Sequence, residues 1–164
     1  MRQRILACFL VLTLCSMTIA PVYADRCESR EQRQERRDKN KIKNALRPAL
    51  QIKTFAEFER RMPQLLHGQT ATNPDVILLV NSARVIFGPY CGATKEVFKD
   101  NLAVFLGVIG KYAAYYYGMP GILGTFVGNF VGVVLGEVIH TLACNGELLK
   151  PVRMDRLLDT IKWD

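Results

Sequence analysis

The 164-residue sequence has only two histidines, His67 and His140, and one tryptophan, Trp163. Neither histidine belongs to a recognisable constellation, and there is no G-x-S-x-G, no HExxH and no phosphate-binding glycine loop. No catalytic residue, metal or cofactor is therefore expected. No stretch alternates apolar and polar residues as a half-buried strand would. The basic run near the N-terminus has no interleaved aromatic side chain on which a base could stack, which disfavours nucleic acid as a partner. Charge is nearly absent from residues 101–143, where Lys111 and Glu137 are the only formal charges.

The N-terminus carries an export signal. Arg2 and Arg4 precede an uncharged, mostly apolar run from Ile5 to Ala20, and Val22-Tyr23-Ala24 places small residues where signal peptidase reads them. Residues 1–24 are expected to be removed before Asp25, leaving a chain exported to the periplasm or the envelope membrane. Cys15 is a poor lipidation site, because Leu14 precedes it where that signal requires a small residue. Of the formal net charge of +7, Arg2 and Arg4 leave with the leader.

Residues 25–47 form a charged arm with nine basic and five acidic side chains, and Ile42 is the only apolar residue between Glu28 and Asn44. Such a run has no core-packing face. If helical, it aligns Arg26, Arg30, Arg33 and Arg37 as a basic stripe suited to anionic lipid. Residues 48–164 are expected to make an α-helical domain. Thr54-Phe55-Ala56-Glu57 opens a helix that presents Phe55, Phe58, Met62, Leu65 and Leu66 on one side and stops at His67-Gly68. Asn73-Pro74 starts another, with asparagine as cap. A long helix begins near Thr94, and Pro151 opens a last one.

The domain is organised around residues 101–143. Gly118-Met119-Pro120-Gly121 breaks this apolar stretch into two legs. The second carries Gly124, Gly128, Gly132 and Gly136, which four-residue spacing puts on one helix face. Interior glycine costs about 1 kcal/mol relative to alanine, and close backbone contact with another helix offsets that cost. Folding at Met119-Pro120 pairs residues whose numbers sum to about 239. Ala103 then meets Gly136, Gly107 meets Gly132, Gly110 or Lys111 meets Gly128, and Ala114 meets Gly124. Lys111 would lie beside Asn129, and Glu137 beside Asn101 and Leu102. Tyr112, Tyr115, Tyr116 and Tyr117 cluster near the tip, as interfacial aromatics do.

The same register brings Cys91 and Cys144 to the open end of the hairpin. In an oxidising compartment a Cys91–Cys144 disulfide is expected, leaving Cys27 free or paired with another chain. Glu137, His140 and Cys144 share a face at a spacing that metal ligands use, but the disulfide claims the cysteine more economically.

The Gly124-x3-Gly128-x3-Gly132-x3-Gly136 spacing, with a small-residue leg before it, resembles the glycine-zipper hairpins of bacterial envelope proteins. The first leg departs from that pattern, being aromatic and half zippered. The resemblance implies an envelope location and helix–helix association, and it carries over no catalytic residue. The fold expected is all-α, a helical bundle around a central antiparallel hydrophobic glycine-zipper hairpin. The function expected is non-enzymatic: helix packing, membrane association or self-assembly, with membrane lipid, an envelope protein or further copies of the chain as partners. Two other readings are a pore-forming, permeabilising protein and a soluble periplasmic binding module.

Overall fold

A computed structural model of the chain describes residues 29–88, 93–144 and 157–161. Its elements are α1 (Arg30–Ala45), α2 (Arg47–Leu50), α3 (Phe55–Leu65), α4 (Asn73–Ile86), α5 (Lys95–Tyr116), α6 (Gly121–Cys144) and a closing 3-10 turn (Leu158–Thr160). The described residues contain no strand, so the structure is all-helical. The expected leader, residues 1–24, lies outside them.

The chain divides into Met1–Arg36 and a larger compact unit, Arg37–Asp164. In the first, Ser29 and Gln32 cap α1 reciprocally: Gln32 N–H donates to Ser29 Oγ (3.2 Å) and Ser29 N–H to Gln32 Oε1 (2.9 Å). In the second, the last turns of α1 are core. Ile42 and Leu46 are fully buried, and Lys43 is buried with its ammonium donating to the Ile161 carbonyl (3.0 Å). Arg47 pairs with Asp159 at 2.6 Å, and the hydrogen bond from Arg47, helped by its charge, holds the Asp159 carboxyl below the usual carboxylate range. The compact unit thus begins at Arg37, well before Pro48. Two apolar side chains four residues apart, Ile42 in α1 and Leu46 just past its end, suffice for a buried edge on an otherwise polar helix.

Helix α3 begins at the Thr54 cap, whose Oγ1 accepts from Glu57 N–H, and continues through Pro63 to Leu65. It ends where His67, with φ +53°, turns left-handed and Gly68 N–H returns to the Pro63 carbonyl. Phe58, Phe87 and Phe105 form an aromatic cluster with ring centroids 5.6–6.2 Å apart, tying α3, the end of α4 and α5 together. A cavity of about 10 Å³ nearby, between Leu50, Ile52, Phe98, Phe105 and Ile139, has an apolar lining and is near the minimum that one water needs.

Helix α5 is the most buried element. It lies between α4 and α6, and its interface with α6 is the largest in the molecule. Thr94 caps it, accepting from Val97 N–H. At its other end Met119 N–H bonds the Ala114 carbonyl (2.8 Å) and Gly118 N–H the Tyr115 carbonyl (3.0 Å). With Gly118 at φ +70°, this is a Schellman stop: glycine takes the left-handed position at no steric cost. The chain reverses there, and α6 starts at Gly121.

Candidate functional site

Across the α5–α6 interface Gly124, Gly128 and Gly132 lie against Gly110, Gly107 and Ala103, whereas Gly136, expected against Ala103, lies against Lys99. A Cβ on Gly124 would strike the Gly110 carbonyl and lie 2.7 Å from Ala114 Cβ. One on Gly128 would lie 2.8 Å from Gly107 Cα, one on Gly132 would strike Ala103 Cα, and one on Gly136 would lie 2.9 Å from Lys99 Cα. Numbers fall on one leg as they rise on the other, so the legs are antiparallel. The pairs sum to about 235, one helical turn from the expected 239. The cause is the turn: the Schellman stop reverses the chain at Gly118, two residues before the expected point. Gly107 therefore faces Gly128, and Ala103 faces Gly132. Asn129 lies over Gly107, where a Cβ would strike its side-chain oxygen.

The two charges within residues 101–143 have partners different from those expected. Lys111 turns away from Asn129, toward α4, and donates to Asp75 Oδ2 at 2.9 Å. The same oxygen accepts from Tyr112 Oη (2.7 Å) and Thr72 Oγ1 (2.7 Å), and Thr72 N–H donates to Tyr112 Oη (2.9 Å). Burial pushes the Asp75 carboxyl up, but these hydrogen bonds and the lysine charge outweigh it and leave it below its ordinary value. The hydrogen bond to Asp75 in turn raises the Lys111 ammonium. Tyr112, expected at the tip surface, is instead buried in this cluster. Thr72, not Asn73, stands at the cap of α4, with its hydroxyl committed to Asp75. The spacing Thr72-x-x-Asp75 is the sequence signal that could have found the cluster; its partners on α5 have no local signature.

Glu137 pairs with Lys95 at 2.7 Å across the open end of the hairpin, not with Asn101 or Leu102. The lysine's hydrogen bond and charge hold its carboxyl below the usual range. His140 Nε2 lies 3.1 Å from the Ala93 carbonyl, and its ring contacts Phe98. Cys91 and the side chain of Cys144 lie outside the described residues, as do Cys27 and Arg26, so the expected disulfide does too. Arg30, Arg33 and Arg37 are exposed along α1.

Behind the glycine face lies a second face that the glycine spacing does not single out. Burial along α6 alternates in pairs. The face with Gly124, Val127, Gly128, Val131, Gly132, Leu135 and Ile139 is buried against α5. The opposite face carries Ile122, Phe126, Phe130, Val133, Val134 and Val138, all exposed large hydrophobic residues. Gly121–Thr141 is long and apolar enough to cross a membrane by length and composition, and less than half of it is buried. Near the tip Tyr115, Tyr116 and Tyr117 are also exposed, and the His67 ring stacks on Tyr116 with centroids 5.1 Å apart.

Comparison of the chain with known protein families, characterised proteins and solved structures finds no match.

Proposed function

We propose that the chain is an exported, non-enzymatic envelope protein that associates with a membrane through the apolar outer face of its glycine-zipper hairpin. One observation carries the reading. The glycine face of α6 is already spent on α5, whereas the opposite face remains exposed over its apolar length. Contiguous exposed apolar surface on a soluble fold marks a membrane or partner contact. The order of charged, apolar and small residues from Arg2 to Ala24 supports export, and the excess of basic side chains supports attraction to anionic lipid.

Vesicle flotation tests this. The mature chain should float with phosphatidylglycerol-containing vesicles at low salt, and Phe126→Asp with Val134→Asp should leave it in the dense fraction while preserving its helical circular dichroism. A wild-type chain that stays dense with every vesicle, or a folded double variant that floats equally well, overturns the reading. Intact mass of the exported protein should begin at Asp25.

A further inference from the structure

The exposed apolar surface is not uniform. It is greatest at the hairpin tip, where Ile122 is 81% exposed, Phe126 58% and Tyr116 58%, and it falls to 39% at Val138. Charge runs the other way. No charged residue occurs between Lys111 and Glu137; Lys111 is neutralised by Asp75 on the side facing α4, and the opposite end carries the Lys95–Glu137 pair. The tip is also braced. The α3–α4 connection contributes His67, stacked on Tyr116 and near Tyr117, and the Tyr115 ring lies against Gly121, where a Cβ would sit 2.6 Å from it.

From this polarity we infer that the tip is a bilayer wedge: Tyr115, Tyr116 and Tyr117, nearest the turn, and Ile122 beside them enter the headgroup–acyl boundary of an anionic phospholipid membrane, with Phe126 one helical turn behind. This deepens, and rests on, the reading of the chain as membrane-associating. Tyrosine rings prefer that interface, and an interfacial anchor enters only about 5–10 Å. Ile122 and Val138 are 16 residues apart on one helix, about 24 Å at 1.5 Å per residue. One hydrocarbon leaflet is about 15 Å deep. A tip-first pose therefore keeps Val138 and the Lys95–Glu137 pair in water. The partner is lipid rather than a second copy on grounds of charge: a net charge of +7, still positive without Arg2 and Arg4, attracts an anionic surface and repels another copy.

Depth-resolved fluorescence tests the pose. In a Trp163→Phe background, Ile122→Trp and Val138→Trp each report one end of α6 in phosphatidylglycerol vesicles with brominated acyl chains. Ile122→Trp should shift to the blue and be quenched severalfold more than Val138→Trp. Should Trp163→Phe unfold the chain, as circular dichroism would reveal, difference spectra with Trp163 retained give the same ratio. Equal quenching at both ends shows α6 lying flat or spanning and overturns the wedge while leaving membrane association standing. Absence of flotation overturns both. A lipid-free dimer by sedimentation equilibrium, with Ile122→Trp already blue-shifted, replaces lipid with a second copy and overturns the wedge.

Discussion

Lys111 Nζ and Asp75 Oδ2 lie 2.9 Å apart, joining the last third of α5 to the first turn of α4. The pair lets a lysine sit in a helix whose neighbours are almost all apolar. Because Tyr112 and Thr72 donate to the same carboxylate oxygen, the site is saturated with donors. Asp75→Asn removes the charge while retaining most of the shape, and should cost about 1.5–3 kcal/mol, the range for hydrogen bonds to a charged group. Lys111→Met should cost less, since Asp75 keeps both hydroxyl donors. A double-mutant cycle by urea unfolding checks the coupling, and additive single effects would show that the two residues act independently.

The glycine contacts predict a departure from helix propensity. Gly132→Ala gains about 1 kcal/mol of propensity, but its methyl would strike Ala103 backbone, and overpacking of that kind costs about 1–3 kcal/mol. A net loss of stability is expected, larger for Gly132→Leu. Val138→Leu, on the exposed face of the same helix, should be nearly neutral. Thermal melts of the three variants decide it; a stabilised Gly132→Ala protein would mean that the legs can separate without cost.

His67 should make stability depend on pH. Its Nε2 is buried without a partner, and burial lowers its pKa from 6.5. The unfolded chain therefore binds a proton at a higher pH than the folded one, so stability falls as pH drops below about 6.5 and levels off only below the folded value. His67→Phe keeps a ring against Tyr116 and should remove that slope. Asp75 acts in a lower window: its carboxyl is depressed below 3.8, so its contribution is complete above that pH and is lost only as pH falls further. Urea midpoints between pH 8 and pH 3 separate the two.

The end of α1 should behave as core. Ile42 is fully buried, and Ile42→Ala should cost about 2–5 kcal/mol. Lys41→Ala, one residue earlier on an exposed position, should be nearly silent. Equal melting temperatures for both would show that the helix end is not packed.

Helix identity and the contacting faces of the hairpin were legible because apolar runs, caps and four-residue glycine spacing are local signals. Thr54 and Thr94 announced their helices through a hydroxyl beside a vacant N–H. The register was not legible to better than a turn, because it depends on which residue of Gly118-Met119-Pro120-Gly121 takes the left-handed conformation. The Asp75 cluster was hidden for another reason. Its members lie 36 and 37 residues apart in sequence, and only the packing of α4 on α5 unites them. Ile42 looked isolated among charges, but it is fully buried, and its neighbours Lys43 and Arg47 bond Ile161 and Asp159 of the closing turn.

The left-handed glycine at position 118 has a consequence for how this hairpin could vary. With a small residue every third or fourth position on both legs, sliding one helix by a turn returns small groups to face small groups, so the interface alone scarcely distinguishes neighbouring alignments. Moving the reversal point by two residues changes every facing sum by four, the length of one such slide. The stop at Gly118 therefore selects among nearly equivalent alignments, and the Lys95–Glu137 pair can form only in the one it selects. A four-residue insertion in the turn would leave the glycine faces matched but shift Glu137 relative to Lys95, an error that an ion pair detects and a row of glycines does not.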